Sequence, residues 1–362
     1  MKNLRKEFPV LNTYTYLNTA YSGLLYDSLL EHRQEHDLDF LIGGSKFRDD
    51  NVNLFNNLRD TIASLFGSSK SNVVLSPNFS IGLNTLLNGF KENQKILLLD
   101  EDYPSVNFAA TNKSFEICYA QIDANLEQNV TQAIAHHQPN IFLFSLVQYT
   151  NGLLIDLGFL KEIKVKYPDM LIIADATQFC GTAPFNFDES GIDILGASGY
   201  KWLLGGYGNG FILFKDQVLV QTTPDSYVKS ASESTYDTSY ISLPARFESG
   251  HLDTFNFSSL HYSLQRISKI GLTTIEHQIK ELTEYTKHEL IKLELLDETV
   301  VKRKKHSSIF NLKGDQELYN YLKDHDIITA LRGKGIRISM HFYNTIEDIE
   351  TLLKALYKYH KL

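Results

Sequence analysis

Between residues 95 and 214 the chain alternates short, continuous apolar runs with stretches of helical spacing, and no other feature constrains its fold as strongly. The runs are 95–100 (KILLLD), 115–120, 140–147 (NIFLFSLV), 171–175 (LIIAD), 193–198 and 210–214 (GFILF). Helical spacing occupies 81–90, ahead of the first run, and 157–167, between two later ones. A strand that is apolar on both faces must be covered on both faces, and intervening helices supply that cover. The pattern therefore predicts an α/β unit with a mostly parallel sheet. The runs end in polar residues: Asp100-Glu101-Asp102, Gln148-Tyr149, Asp175 and Ser198. Open α/β sheets bind ligands beyond the carboxyl ends of their strands, so these residues are the first candidates for a site.

The last hundred residues read differently. A long helical pattern covers 258–294 with a break near Gly271. A strand (309–312), a helix (316–324), two strand-like pieces (327–331 and 335–341) and an amphipathic helix (345–359) follow. With 362 residues the chain exceeds one ordinary domain. The expected division is a large domain over 18–265 and a small α+β domain formed by 1–17 and 266–362.

Composition narrows the function. A net charge of −8 lacks the basic footprint of a nucleic-acid binder. Only two cysteines, Cys118 and Cys180, occur, which excludes a disulfide framework and a multi-cysteine metal site. No metal is expected. No apolar run is long enough for a membrane span, and MKNLRKEF is not followed by a signal-peptide core. The expectation is a cytoplasmic enzyme handling small molecules.

The chemistry concentrates in residues 171–214. Asp175 ends one apolar run, Ser198-Gly199-Tyr200-Lys201-Trp202 ends another, and GGYGNG leads into a third. A lysine at a strand end can be partly desolvated, which lowers its pKa and makes it a nucleophile toward carbonyls. A neighbouring aspartate can hold a heterocyclic nitrogen protonated. Those two needs are the needs of pyridoxal phosphate. GGYGNG opens a strand rather than a helix, so it is not a dinucleotide fingerprint.

The set D-x-x-Q, S-x-x-K-W and a glycine-rich turn resembles the class V aminotransferase group, which includes cysteine desulfurase-like proteins, among the fold-type I pyridoxal-phosphate enzymes. The resemblance implies that Lys201 forms the internal aldimine and moves protons. It implies that Asp175 pairs with the pyridinium nitrogen, that Gln178 donates to the phenolate oxygen and that Ser198 binds the phosphate. Phe79 and Ser80 open the helical run after Asn78. Their amides and the Ser80 hydroxyl would grip the phosphate at a helix N-terminus. Tyr103 would stack on the ring. Gln148 or Tyr149, at one strand end, would reach the cofactor or the substrate. Tyr200, where relatives often carry histidine, could reach the phosphate.

The segment 330–348 (ALRGKGIRISMHFYNTIED) resembles the family's final stretch and implies that Arg332 forks onto a substrate carboxylate. Arg337, inside a strand, reads as a structural ion-pair partner, and Trp202 as packing. The segment 247–256 (FESGHLDTFN) resembles a loop that reaches the neighbouring subunit's phosphate, with His251 in place of the usual threonine. A homodimer with shared sites follows from that resemblance. Cysteine desulfurases need a thiolate on a loop near the substrate arginine. No cysteine lies between residues 301 and 362. The expected reaction is therefore transamination between an amino acid and a 2-oxo acid. A lyase or epimerase without a loop cysteine, selenocysteine lyase-like or desulfurase-like, is the alternative. A cofactor-retaining protein that has lost catalysis is a third.

Overall fold

The computed structural model describes residues 2–216, 218, 242–248 and 250–360. All six apolar runs become strands: β3 (Lys95–Leu99), β4 (Glu116–Ala120), β5 (Ile141–Ser145), β6 (Leu171–Asp175), β7 (Ile194–Ser198) and β8 (Gly210–Phe214). A further strand, β2 (Val73–Ser76), joins them in a seven-stranded sheet of order β2-β8-β7-β6-β5-β3-β4. Only β8 runs antiparallel to its neighbours, β2 and β7; the other pairings are parallel.

The continuous apolar runs have a direct cause in the packing. Leu97, Leu99, Phe142, Phe144 and Ile172 enter one core. Their sequence neighbours Ile96, Leu98, Ile141, Leu143 and Ile173 enter a second core on the other face. Successive side chains of a strand point to opposite faces, so a sheet with a core on each side leaves no position polar.

Strand β2 was not recognised because VVLS is short. It lies at the sheet edge, where the Glu248 carboxylate accepts the Leu75 N–H at 2.8 Å and pairs with Arg59. That contact covers an edge that would otherwise present an unpaired donor.

The C-terminal layer carries an antiparallel sheet of β9 (Ile309–Lys313), β12 (Gly335–Ser339) and β11 (Ala330–Arg332), in the order β11-β12-β9. Gly333 and Lys334 alone join β11 to β12, with Gly333 at φ +59°. The piece read as one strand over 327–331 divides. Its first half, β10 (Ile327–Ile328), pairs in parallel with β1 (Thr15–Tyr16). The Asn18 side-chain amide takes the carbonyl of Thr329 between the halves at 3.3 Å. The long helical pattern forms two helices, Thr254–Ile270 and Leu272–Lys292, broken at Gly271 with φ +86°. Arg5 donates two hydrogen bonds to Asp348 of the last helix, at 2.7 and 2.9 Å. Among the described residues no helix is long and apolar enough to cross a membrane.

After β1 the N-terminal segment crosses the turn that carries Lys201. Gly23 donates its N–H to the Tyr200 carbonyl at 2.8 Å. A Cβ at Gly23 would stand 2.0 Å from the Lys201 carbonyl oxygen. Backbone cannot give way as a side-chain end can. Gly23→Ala is expected to destabilise the protein by about 1–3 kcal/mol, read as a lowered urea midpoint; an unchanged midpoint would show that this crossing is loose.

Candidate active site

The carboxyl ends of β5, β6 and β7 meet the N-terminus of the helix Phe79–Asn88 around a cleft of about 500 Å³. Asn78 caps that helix, its side chain accepting the Ile81 N–H at 2.9 Å. The Phe79 N–H is held by the Ser198 hydroxyl oxygen at 2.9 Å, and the Ser80 hydroxyl donates to Ser105 at 2.8 Å. The sequence-named residues Phe79, Ser80 and Ser198 therefore converge on one wall. The amides of Phe79 and Ile81 are held by Ser198 and Asn78, no acceptor for the Ser80 N–H is found among the described residues, and the positive dipole end of the helix suits an anion. Gly196 is required beside them, since a Cβ would stand 2.3 Å from the Phe79 ring.

Lys201 lies 6% exposed in the floor. Its Nζ stands 5.6 Å from the Tyr103 ring centroid and 5.3 Å from that of Tyr200. Burial pushes the ammonium down to about 8, against the pull of Asp175 and with the repulsion of Arg337 and Arg332. Asp175, also buried, ends β6. Its carboxylate accepts the Thr177 N–H at 2.8 Å, and burial holds it above the usual carboxylate range despite Thr177 and Lys201. Thr177 ties this corner to the next strand, its hydroxyl accepting the Ser198 N–H at 3.1 Å.

Gln178 is anchored at both ends of its amide. It donates to the Ala20 carbonyl at 3.0 Å and accepts the Trp202 indole N–H at 2.7 Å. Its second amide hydrogen has no acceptor among the described residues, and Gln178 lines the cleft. Trp202 is thus more than packing: its indole fixes Gln178, and its carbonyl takes a hydrogen bond from His341 Nε2 at 3.0 Å.

Tyr103 lines the cleft and meets Tyr149 edge-on, with centroids 5.1 Å apart. Its backbone is held by Asp102, which accepts the Tyr103 N–H at 2.6 Å and the Ser145 N–H at 2.7 Å. Burial pushes the Asp102 carboxyl up to about 6. Tyr200 stacks on Tyr207 at 4.9 Å. Of the two strand-end candidates, Tyr149 lines the cleft and Gln148 does not. Gln148 lies between two cleft-lining residues, Val147 and Tyr149, and its amide donates to the Ser145 carbonyl at 3.2 Å. Alternation along an extended chain sends it the other way.

A smaller chamber of about 220 Å³ adjoins the cleft and shares Tyr103, Tyr149, Tyr200 and Lys201 with it. Arg332 and Arg337 also line it. The reading of Arg337 as a structural ion-pair partner is corrected here. It is 2% exposed, its Nη1 donates to the Tyr149 carbonyl at 2.8 Å, its Nε has no acceptor, and among the described residues no carboxylate pairs with it. A signal for it stood in the sequence. Ile336 and Ile338 enter the C-terminal core, so the residue between them must face the other way. His251 is not brought to the cleft of its own chain. It is exposed and lines a separate groove with Phe47, Arg48 and Phe55. Neither cysteine lines the cleft or the chamber; both are buried, and burial raises both thiols.

Residues 41–352 match the family described as aminotransferase class-V. An uncharacterized aminotransferase of Bacillus subtilis, YcbU, is 23% identical over 95% of this chain and 94% of its own. A probable cysteine desulfurase of Pyrococcus abyssi is 22% identical over 98% of this chain and 96% of its own. Among solved structures, the apo cysteine desulfurase from Thermococcus onnurineus superposes with a TM-score of 0.84 at 21% identity, covering 99% of this chain and 98% of that one. The cystine C-S lyase C-DES, in complex with its reaction product cysteine persulfide, gives 0.83 at 20% identity, covering 96% and 98%.

Proposed function

This chain belongs to the aminotransferase class-V family, and we propose that it is a pyridoxal-phosphate enzyme that transaminates an amino acid against a 2-oxo acid, with Lys201 as its reacting amine. One observation carries the reading: a buried amine, with its pKa drawn down to about 8, faces the buried Asp175 carboxylate across a cleft that ends on a helix N-terminus. The donor set suits that cofactor. Lys201 supplies an amine for a carbonyl, Asp175 an acceptor for a ring N–H, Tyr103 a flat face, and Phe79, Ser80 and Ser198 a phosphate-sized wall. When bound, the cofactor supplies the electron sink for bonds broken at the substrate α-carbon.

The chain's own residues do the rest. Lys201 takes the α-proton and returns it. Gln178, fixed by Trp202 and Ala20, offers its second amide hydrogen to the ring oxygen. Arg337 is the anchor for the α-carboxylate, being buried and without an acid partner among the described residues. A homodimer in which residues 247–256 of one protomer reach the cleft of its partner is part of the proposal, because His251 faces away from its own cleft.

A thiol-free elimination is the second reading. Its support is the pair of buried cysteines and the turn between β11 and β12, Gly333-Lys334, which carries no thiol.

The test begins with borohydride reduction after loading with pyridoxal phosphate. One cofactor mass is expected on the peptide containing Lys201, and its absence overturns the reading. A panel of amino donors and 2-oxo acceptors follows, with parallel assays for released alanine, sulfide and selenide. Amino transfer supports the first reading; sulfide or selenide without transfer supports the second.

A further inference from the structure

The chamber beyond the cleft carries more positive charge than one α-carboxylate can neutralise. Among the described residues its charged lining is Lys201, Arg332 and Arg337, with no acid. Asp175 lines the adjoining cleft, and its charge acts on Lys201. Arg337 lies deep and leaves its Nε without an acceptor. Arg332 sits at the rim, its guanidinium 5.3 Å from the Tyr21 ring centroid and its Nη1 on its neighbour's carbonyl at 3.1 Å. No described carboxylate pairs with it either. Burial, and after it the repulsion of Arg332, draws Arg337 down to about 10, still cationic at neutral pH.

Two like charges facing one small chamber are costly unless an anion stands between or against them. The helix N-terminus at Phe79 and Ser80 belongs to the inner cleft and is not part of this chamber, so an anion held there leaves both guanidiniums unanswered. The tyrosine rings around them bring hydroxyl donors and no negative charge; burial raises the Tyr200 phenol and keeps it neutral.

Resting on the proposed function, we propose that the substrate is an amino acid with an anionic, carboxylate-bearing side chain, Arg337 taking its α-carboxylate and Arg332 its side-chain carboxylate. Guanidinium groups match carboxylates with two parallel hydrogen bonds, which gives each arginine a distinct partner. A neutral side chain of the same size would leave Arg332 uncompensated and forfeit that contact.

The experiment uses the cofactor-loaded protein and reads equilibrium dissociation constants from the change in its visible absorption. The ligands are the isosteric pairs glutamate and glutamine, aspartate and asparagine. At least one acid is expected to bind about 10-fold or more tightly than its amide. Arg332→Gln should shrink that ratio to below about 3, and Arg332→Lys should retain part of it. Arg337→Gln should weaken acid and amide alike. Equal binding of both pairs by the wild type overturns the inference, as does a preference that survives Arg332→Gln. These failures are distinct from failure of the underlying reading, in which no amino acid changes the spectrum or Lys201 carries no cofactor after reduction.

Discussion

Lys201→Met is expected to lower turnover by at least ~10³-fold and, in the cofactor-free protein at neutral pH, to raise the thermal midpoint. The first effect follows from the proposed role. Methionine keeps the length of the side chain but can neither attack a carbonyl nor carry a proton, and positioned proton transfer alone is worth ~10²–10⁴-fold. The second follows from burial. A fall from 10.5 to about 8 corresponds to about 3 kcal/mol of penalty on the charged amine in the folded state. Below about pH 8 the lysine is charged whether folded or unfolded, and the fold bears the whole penalty. Above about pH 10.5 it is neutral in both, and the penalty vanishes. Stability attributable to this residue thus rises with pH through that window. That figure is already net of the Asp175 attraction, so methionine removes the whole of it. A net rise of a few degrees at pH 7, fading toward pH 10.5, is the expected pattern in calorimetry. A lower midpoint for the variant at pH 7 would show that the Asp175–Lys201 attraction outweighs desolvation.

Residues that carry the proposed chemistry were legible in the sequence when they stood at the ends of strands buried on both faces. The run ending in Asp175 and the run ending in Ser198 mark their own boundaries, because apolar continuity stops where the sheet does. The adjacency of Phe79 to Ser198 followed from topology, since a helix start and a strand end of one sheet share an edge. Arg337 was misread for a different reason. Its role depends on β12 closing against the end of β5, and the Arg337–Tyr149 contact joins residues 188 apart in sequence. Alternation within β12 gives the side Arg337 faces, but not that Tyr149 stands there. Gln148 and Tyr149 are adjacent in sequence and differ by a single step of alternation, so the sequence does not separate them; the structure places Tyr149 on the cleft. Strand β2 is apolar and buried but only four residues long, and the Glu248 that meets its edge stands far along the chain. For His251 the loop pattern named a residue whose proposed target lies in another protomer, and its own chain holds it in a separate groove.

Asp175→Asn separates holding the cofactor from using it. The substitution is nearly isosteric, and the amide oxygen can still accept the Thr177 N–H, so the corner between β6 and β7 should keep its shape. What it loses is charge. Asp175 is buried, and burial already disfavours its ionised form. A carboxylate kept there against that cost is stable only beside a cation or a strong donor, and removing one member of a buried charge pair costs about 3–5 kcal/mol. If Asp175 holds a ring N–H positive while the α-proton is moved, kcat should fall ~10²–10³-fold. Borohydride should still fix one cofactor mass on the Lys201 peptide. Lys201 itself gives a second readout. Asp175 is the group that holds its ammonium up against burial and two arginines. Without that charge the amine should lose its proton below about pH 8, seen as a lower pH midpoint for its reaction with an amine-selective reagent in the cofactor-free protein. An unchanged kcat would remove Asp175 from the chemistry. An unchanged midpoint would mean that the two groups do not share a field.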